Sequence, residues 1–414
     1  MRIGLVTGEY PPDQGGIGDF TRELGRALAA LGHEVHVLTS ELRIANCETR
    51  NHETRNTVIV HRSIHRWGWR CWREILHLDD ALRFDILNVQ YQAAAYRMHP
   101  AINLLPWYLR WRVSPLSHFP TRIGGGRGGA GRDRRRGVVV TFHDLKVPYL
   151  FPKAGSLRWQ AVLMLARWAD GVIVTNREDE LRIANCELRI ANLVRIPIGS
   201  NIALCLPDGY DRDTWRMRWG LKPGDLLLGY FGFLNERKGG EDLIETLATL
   251  VARGLPAHLL LIGGRAGTSD PTNQAYAERV DCLIAERGLA ARVHRTGFVP
   301  PAEVSASLAA VDVCVLPYRD GVSLRHGSLH ACLAHGRPIV TTHPVVETPE
   351  LRDGENMLLM PAQDVEALAD GVTRLWTDSA ARQRLEQGAA ALAREFTWER
   401  IAERTLTFYR RLTA

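Results

Sequence analysis

The stretch MRIGLVTGEYPPDQGGIGDFTRELGRALAALGHEVHVLT, residues 1–39, contains the unit that decides the fold. The apolar run at 2–7 predicts a buried strand, and a loop rich in Pro, Asp and Gly follows it. Apolar side chains then recur at helical spacing over 17–31, Gly32 stands where a glycine ends helices, and 34–39 predicts a second strand. A strand, a helix and a strand in this order predict a parallel sheet with helices on both faces.

The same alternation continues along the chain. Further strands are predicted at 85–90, 137–143, 171–175, 226–231, 257–262, 293–296, 313–316 and 338–341. Further helices are predicted at 156–169, 240–253, 271–288, 301–310, 328–335 and 364–376. A chain of 414 residues is long enough for two domains. We therefore predict two doubly wound α/β domains, residues 1–200 and 201–395, with the junction around Ile196–Ser200.

Charge and cysteine content exclude several classes of function. Residues 122–136 carry six arginines and one aspartate, and without them the chain has 52 − 6 = 46 basic and 46 − 1 = 45 acidic residues. The basicity therefore belongs to one Gly/Arg-rich loop, and we predict no nucleic-acid partner. Seven scattered cysteines without a C-x-x-C pair predict neither a disulfide framework nor a metal site. Because the start does not resemble a secretory signal and no apolar run could span a bilayer, we expect a cytoplasmic protein.

A short repeat interrupts this regular pattern. The heptapeptide LRIANCE occurs at 42–48 and 181–187, and LRIAN follows at 188–192. Both copies follow a strand, where a loop is expected, and the Gly/Arg-rich segment is a third irregular place. We interpret these segments as inserts in surface loops, near 41–56, 113–136 and 180–192.

Two glycine-containing loops each join a strand to a helix. In the first, at 8–16, glycines allow close backbone approach, and the following helix N-terminus offers N–H groups to an anion. In the second, at 230–239, Lys238 lies at the predicted helix start, where a cation is unfavourable unless an anion is bound there. The alternative for Lys238 is a solvated side chain.

A third loop, at 317–330, leads into an Ala-rich helix. Gly327, Ser328 and Leu329 lie at the predicted N-terminus of that helix, with Ser328 as its N-cap and Arg325 beside it. Backbone N–H groups and one arginine can hold a diphosphate without a metal. The alternative is a capped helix with an exposed arginine.

The order and spacing of these loops resemble the large group 1 family of retaining glycosyltransferases with the GT-B fold, over nearly the whole chain. The matching motifs are Glu9-Tyr-Pro-Pro-x-x-Gly-Gly16, Thr141-Phe-His-Asp144, Ile196-Pro-Ile-Gly199, Gly232 to Gly239, Gly297-Phe-Val299, Leu316-Pro-Tyr318, Ala334-His-Gly-Arg-Pro-Ile-Val340 and Phe396-Thr-Trp-Glu-Arg400. The resemblance implies two Rossmann-like domains facing a central cleft. It also implies that a final helix within 396–414 packs back on the N-terminal domain.

The resemblance further implies retaining, metal-independent transfer of a hexose from a nucleotide-diphosphate sugar to a glycan or lipid-linked acceptor. The nucleotide sugar is a co-substrate, and no other cofactor is expected. His143 would face the transferred sugar, and Lys238 would neutralise the leaving diphosphate. The donor-binding positions are Gly15, Gly16, Gly232, Arg237, Phe298, Val299, Ser323, Arg325, Gly327, Ser328 and Leu329. The acceptor-side positions are Tyr10, Asp13, Gln90 and Tyr91.

The sequence departs from the family at its hallmark pair of glutamates. Ser323 and Ala331 stand where those two residues would be. The second glutamate usually holds the ribose hydroxyls, so the nucleotide contacts must differ here. His330, beside Ala331, is a candidate for that contact.

A second departure concerns the phosphate cations. Phe233 replaces the arginine expected after Gly232, and Arg237 or Arg325 could substitute for it. Two alternatives to an active transferase therefore stay open, a catalytically silent sugar-nucleotide-binding subunit and a nucleotide-sugar 2-epimerase.

Residues 61–73 and 107–112 combine arginines with tryptophans. Such segments suit a lipid interface, and peripheral contact with the inner face of the membrane is one interpretation. An acceptor-side loop or a helix packed in the core are the other two.

Overall fold

The computed structural model describes residues 1–13, 15–41, 58–113, 136–145, 156–186, 190, 192–264 and 271–414. Residues 42–57 and 114–135, which make up nearly all of two predicted inserts, lie outside the described residues, as do 187–189 and 191 of the third. The chain forms two compact units, residues 1–198 with 398–414, and residues 199–397. Each is built on a parallel sheet, which confirms the predicted pair of Rossmann-like α/β domains.

The first unit contains a seven-stranded parallel sheet in the order β3-β2-β1-β4-β5-β6-β7. Its strands are β1 Arg2–Thr7, β2 Glu34–Ser40, β3 Val58–Ile64, β4 Ile86–Tyr91, β5 Gly137–Phe142, β6 Gly171–Val174 and β7 Leu193–Arg195. Five helices of this unit are α1 Gly16–Ala30, α2 Cys71–Leu82, α3 Ala101–Val113, α4 Ser156–Trp168 and α5 Arg177–Ala184. After β1 the chain builds β2 and β3 on one side, and then returns to β4 on the other. The gap between the carboxyl ends of β1 and β4 is therefore a topological switch point, where open α/β sheets bind ligands.

The second unit contains a six-stranded parallel sheet in the order β10-β9-β8-β11-β12-β13. Its strands are β8 Leu226–Phe231, β9 Ala257–Ile262, β10 Val293–Gly297, β11 Val313–Leu316, β12 Ile339–Thr342 and β13 Leu358–Met360. Its helices are α6 Arg212–Met217, α7 Gly240–Ala252, α8 Pro271–Glu286, α9 Pro301–Ala310, α10 Gly327–Ala334, α11 Val365–Thr377 and α12 Ser379–Ala393. The switch point of this sheet lies between β8 and β11, so the loops after these two strands are brought to one place.

The last helix, α13 Trp398–Thr413, belongs to the first unit although it ends the chain. Its apolar face is buried in the same cluster as β1, β2 and α1. The hydroxyl of Tyr409 accepts a hydrogen bond of 2.6 Å from the amide of buried Asn88. A Cβ on Gly171 would lie 2.7 Å from the ring of Phe408, so β6 carries glycine where α13 crosses it closely.

The structure differs from the sequence-based expectation at the second copy of the repeat. Leu181–Ala184 are helical, as the last turn of α5, and not part of a loop. The reason lies upstream, since the side chain of Asn176 accepts a hydrogen bond from the backbone N–H of Asp179 and so caps the helix. Three acidic residues in its first turn add favourable charge at the helix N-terminus.

The Gly/Arg-rich segment ends in an anchored residue. Arg136 pairs with Asp79, and its guanidinium donates a hydrogen bond of 3.0 Å to the carbonyl of Leu109. Burial lowers the pKa of Arg136 to about 10. The last arginine of this segment is therefore structural, unlike the solvated arginines that its composition predicts.

The Trp- and Arg-rich segments fall on β3, on α2 and on α3. Trp67 is buried, and Trp72 stacks on Tyr108 with ring centroids 4.3 Å apart. Trp69 and Trp107 remain exposed at the surface. Within the described ranges, no helix is both long and apolar enough to cross a membrane.

Candidate functional site

Lys238 lies at the switch point of the second unit. It ends a 3-10 turn, Glu236–Lys238, and its backbone N–H donates a hydrogen bond of 3.1 Å to the side chain of Asn235, which caps the turn. Gly239 follows with φ +68°, and only then does α7 begin, so Lys238 precedes the predicted helix start by two residues. The Lys238 Nζ lies 3.4 Å from the point where a Cβ of Gly232 would stand, and the Ser328 Cβ lies 4.0 Å from the same point. Three predicted donor-site residues, from the loops after β8 and β11, are thus brought together.

The ammonium group of Lys238 has an unfavourable environment in the free protein. No carboxylate forms an ion pair with it anywhere in the described part of the chain. Burial lowers the pKa of Lys238, because the charged form is poorly solvated there. An anionic ligand would remove this penalty.

The N-terminus of α10 faces the same place, but its cap is not the predicted one. His326 is the N-cap residue, and α10 begins at Gly327. The prediction of Ser328 as N-cap is wrong, since its hydroxyl is buried and bonded at 2.7 Å to the hydroxyl of Tyr318. A Cβ on Gly327 would meet no heavy atom within 4 Å. The backbone N–H groups of Gly327 and Ser328 have no acceptor among the described residues, so they can bind an anion.

The two arginines predicted as substitute phosphate cations differ. Arg325 is largely buried and pairs with Asp320 at 3.1 Å, so its charge is already partly balanced. Arg237 is exposed, and its carbonyl accepts a hydrogen bond from the backbone N–H of Arg319. Arg319 itself forms a bidentate pair with Asp242 on α7, with both distances 2.8 Å. It ties the loop after β11 to the loop that carries Lys238, a role that its sequence position does not reveal.

The remaining residues of this loop are mostly internal. The backbone N–H of Ser323 donates to the Nδ1 of His326, and Leu329 is fully buried. The suggestion that His330 contacts a ribose is wrong, because its ring is 2% exposed and its Nε2 donates to the carbonyl of Leu324. Burial lowers the pKa of His330 to about 4, which keeps the ring neutral.

Phe298 and Val299, two of the predicted donor-binding residues, follow β10. Phe298 is 76% exposed, while Val299 packs against the core of the second unit. Phe233, which replaces the expected arginine, is 37% exposed, and its ring lies 2.8 Å from the point where a Cβ of Gly264 would stand. An exposed aromatic ring next to a phosphate-binding loop can stack on a base.

In the first unit, His143 follows β5. Its backbone N–H donates to the carbonyl of Tyr91, and its Nε2 lies 3.0 Å from the Oε1 of Gln90. The ring of Phe20 meets it edge-on, with centroids 4.5 Å apart. Burial lowers the pKa of His143 to about 3, so the imidazole is neutral at physiological pH.

Gly15 and Gly16, predicted to bind the donor, are the N-cap and the first residue of α1, and the side chain of Glu9 lies beside them. The carboxylate of Glu9 accepts a hydrogen bond of 3.3 Å from the N–H of Ile17 and so caps α1. A Cβ on Gly15 would lie 2.0 Å from this carboxylate, whereas one on Gly16 would meet nothing within 4 Å. Burial raises the pKa of Glu9. Gly15 therefore makes room for a protein carboxylate, and sequence reasoning missed the role of Glu9.

Three of the four side chains predicted to lie on the acceptor side are buried. The side chain of Tyr91 is 2% exposed and its hydroxyl accepts from Asn103 within the core, so its acceptor-side role stays a prediction. Tyr10 and Gln90 are also buried. Asp13 is half-buried in the loop before α1, and its role stays a prediction.

Two protein families match separate parts of the chain. Residues 225–378 match the family described as group 1 glycosyl transferases, and residues 14–113 match glycosyltransferase family 4. Residues 225–378 thus form a group 1 glycosyltransferase domain. The candidate phosphate site, with Lys238 and the start of α10, lies inside this domain.

Curated relatives of this chain include D-inositol 3-phosphate glycosyltransferases. That of Nocardioides sp. is 31% identical over 212 residues, which cover 49% of this chain and 45% of the relative. That of Rhodococcus erythropolis is 27% identical, and the match covers 58% of this chain and 53% of the relative. The chain thus spans about half the length of the curated relatives it matches.

Solved glycosyltransferase structures share the fold. The sucrose-phosphate synthase of Thermosynechococcus elongatus has a TM-score of 0.71 and 22% identity, over 100% of this chain and 99% of that one. The Anabaena protein HepE, in complex with UDP and glucose, has a TM-score of 0.71 and 17% identity, over 98% of both chains.

Proposed function

We propose that this protein transfers a hexose from a nucleotide-diphosphate sugar to a glycan or lipid-linked acceptor. Lys238 carries this proposal, because its half-buried ammonium is poorly solvated at the switch point of the second sheet and has no carboxylate partner among the described residues. The N–H groups of Gly327 and Ser328 lie at the same switch point and supply further donors for a diphosphate. The UDP complexes of HepE support a nucleotide sugar as the donor here.

The proposed reaction retains the configuration of the transferred sugar and uses no metal. The acceptor hydroxyl attacks the face from which the diphosphate leaves, and the leaving diphosphate helps to take up the acceptor proton. The main contribution to catalysis is then electrostatic stabilisation of the leaving group by Lys238 and the start of α10. His143 contacts the transferred sugar as a neutral hydrogen-bonding group, because burial keeps its pKa far below 7.

Two exposed tryptophans support the acceptor side of the proposal. The exposed rings of Trp69 and Trp107, close in sequence to several arginines, suit an anionic lipid surface. We propose peripheral contact with the inner face of the membrane through this surface. Co-sedimentation with anionic liposomes at low salt tests it, and no binding under those conditions would remove it.

Release of nucleoside diphosphate tests the transfer itself. A panel of UDP-, GDP- and ADP-sugars, starting with UDP-glucose, is incubated with candidate acceptors in excess EDTA. Lys238→Ala and His143→Ala should each reduce kcat, by about 100- to 1000-fold for Lys238 if it is a principal stabiliser of the leaving group. Lys222→Ala, an exposed lysine of the same unit, is the matched control and should change nothing. Donor binding with unchanged turnover in both variants would show that this site does not catalyse transfer.

A catalytically silent sugar-nucleotide-binding subunit is the second candidate. It is favoured by Ser323 and Ala331 at the glutamate positions, and by the pairing of Arg325 with Asp320. Binding of a nucleotide sugar without release of diphosphate from any donor would establish it. Isomerisation of the donor sugar without transfer would instead indicate a 2-epimerase.

A further inference from the structure

The amide of Gln90 lies directly against the ring of His143. Gln90 is the last residue but one of β4 and is fully buried. Its Oε1 lies 3.0 Å from the Nε2 of His143, across the boundary between β4 and the end of β5. Within the described residues, the amide nitrogen of Gln90 has no hydrogen-bond partner. Among the described residues, the side chain of Gln90 therefore makes a single hydrogen bond, and its partner is His143.

This contact selects one form of the imidazole. A carboxamide oxygen only accepts hydrogen bonds, so the Nε2 of His143 must be the donor. A neutral imidazole carries one N–H group, which leaves its Nδ1 as an acceptor. The ring of Phe20 packs against the imidazole with ring centroids 4.5 Å apart and an interplanar angle of 74°, which restricts the ring further.

The surroundings keep the ring neutral. Burial alone lowers the pKa of His143 to about 3, with no contribution from a charged side chain. The side chains that face it from α1 and β4, Phe20 and Gln90, carry no charge, and Asp144 is the acidic residue next to it in the chain. A glutamate in place of Gln90 would accept the same hydrogen bond but would favour the imidazolium. The amide of Gln90 thus orients the imidazole of His143 without favouring its protonated form.

We propose that Gln90 is a positioning residue that holds His143 as the neutral Nε2–H tautomer and leaves Nδ1 as the acceptor for a hydroxyl of the transferred sugar. The sugar contact rests on the proposed function. The tautomer is a property of the free protein and can be measured without any substrate. Gln90 therefore acts through His143 and is not itself an acceptor-binding residue.

Nitrogen-15 NMR of the histidine-labelled protein tests the tautomer, with His143 assigned from the spectrum of His143→Gln. We expect an Nε2–H, Nδ1-acceptor signal for His143 that does not titrate between pH 5 and 8. Gln90→Met keeps the shape but removes the acceptor, and should shift the signal toward a mixture of tautomers. Gln90→Glu should make His143 titrate within that range. Asn88→Leu removes another buried amide of β4, one bonded to Thr141 and Tyr409, and should leave the His143 signal unchanged.

Kinetics then test what the tautomer does. In Gln90→Met, kcat should fall about 10- to 100-fold with little change in the donor KM, since misplacement of a contacting group costs up to about 100-fold. A wild-type Nδ1–H tautomer, or a tautomer that Gln90→Met leaves unchanged, overturns the inference whatever the activity. A shifted tautomer with normal kcat overturns it too. If wild type shows the expected tautomer but no turnover with any donor, the proposed function fails while the orienting contact stands.

Discussion

Replacing Lys238 by methionine should change free-state stability and ligand affinity in opposite directions. In the free protein the ammonium is poorly solvated and has no ion-pair partner among the described residues, so a neutral side chain of similar length should leave the fold at least as stable. With a nucleoside diphosphate bound, the variant lacks one charge-assisted hydrogen bond, worth about 1.5–3 kcal/mol. That corresponds to a Kd about 10- to 150-fold weaker. Binding should persist, because the N–H groups of Gly327 and Ser328 remain.

The pH dependence follows from the direction of the pKa shift. The pKa of Lys238 is lower in the folded protein than the 10.5 of the free side chain, so the unfolded chain holds this proton more tightly. The penalty is therefore fully present below the folded pKa, and it is relieved as pH rises from there toward 10.5. Diphosphate affinity should fall across the same window, because the ammonium that binds the ligand is lost.

Thermal unfolding with and without ligand measures both effects. The ligand is the nucleoside diphosphate that most raises the Tm of wild type, and isothermal titration then gives Kd for wild type, Lys238→Met and the exposed control Lys222→Met. The reasoning is refuted if Lys238→Met binds as tightly as wild type. It is refuted equally if the free variant is clearly less stable while the control is not, because the lysine would then have a structural partner.

Two further predictions concern the first unit. Gly15→Ala should displace the Glu9 carboxylate and lower stability by about 1–2 kcal/mol through loss of the helix cap, whereas Gly16→Ala, with open space around its Cβ, should raise it by about 0.5 kcal/mol. Equal effects of the two substitutions in urea unfolding would contradict the capping role. Tyr409→Phe removes the hydroxyl that accepts a hydrogen bond from Asn88 and should lower the free energy of unfolding by about 1 kcal/mol. The measurement is the urea midpoint of the first unit, which should fall. An unchanged midpoint would show that this buried hydrogen bond does not stabilise the unit.

Elements of the fold with a strong apolar pattern were predictable almost to the residue. The runs at 226–231 and 257–262 are β8 and β9 without change, because a strand buried on both faces needs a continuous apolar run. β3 was missed, since it is an edge strand in which Ile59 and Val60 are exposed and polar residues follow. α2 was missed because its first turn lies in the Trp- and Arg-rich segment 61–73, which obscures the helical period.

The sequence predicted those parts of the site that lie in loops directly after a strand. The loops that carry Lys238 and Gly327 follow strands, and their meeting between β8 and β11 follows from the sheet order. Glu9 and Arg319 act through contacts with residues far along the chain or across a loop, which no local pattern shows. The error at Ser328 is a shift of the cap by two residues, within the usual uncertainty of helix ends.

The position of α13 in the first unit sets an order of events during synthesis. Residues 199–397 form a continuous unit and can fold as soon as they are made, but residues 1–198 lack the helix that covers part of their sheet until 398–414 follow. At 5–20 residues per second the ribosome needs about 10–40 s to cross this interval of roughly 200 residues. For that time the apolar surface that later receives α13 is uncovered on the nascent chain. The first unit is therefore the first to be synthesised and the last to complete its fold. The yield of folded protein in the cell should then depend on chaperones that bind exposed apolar surface.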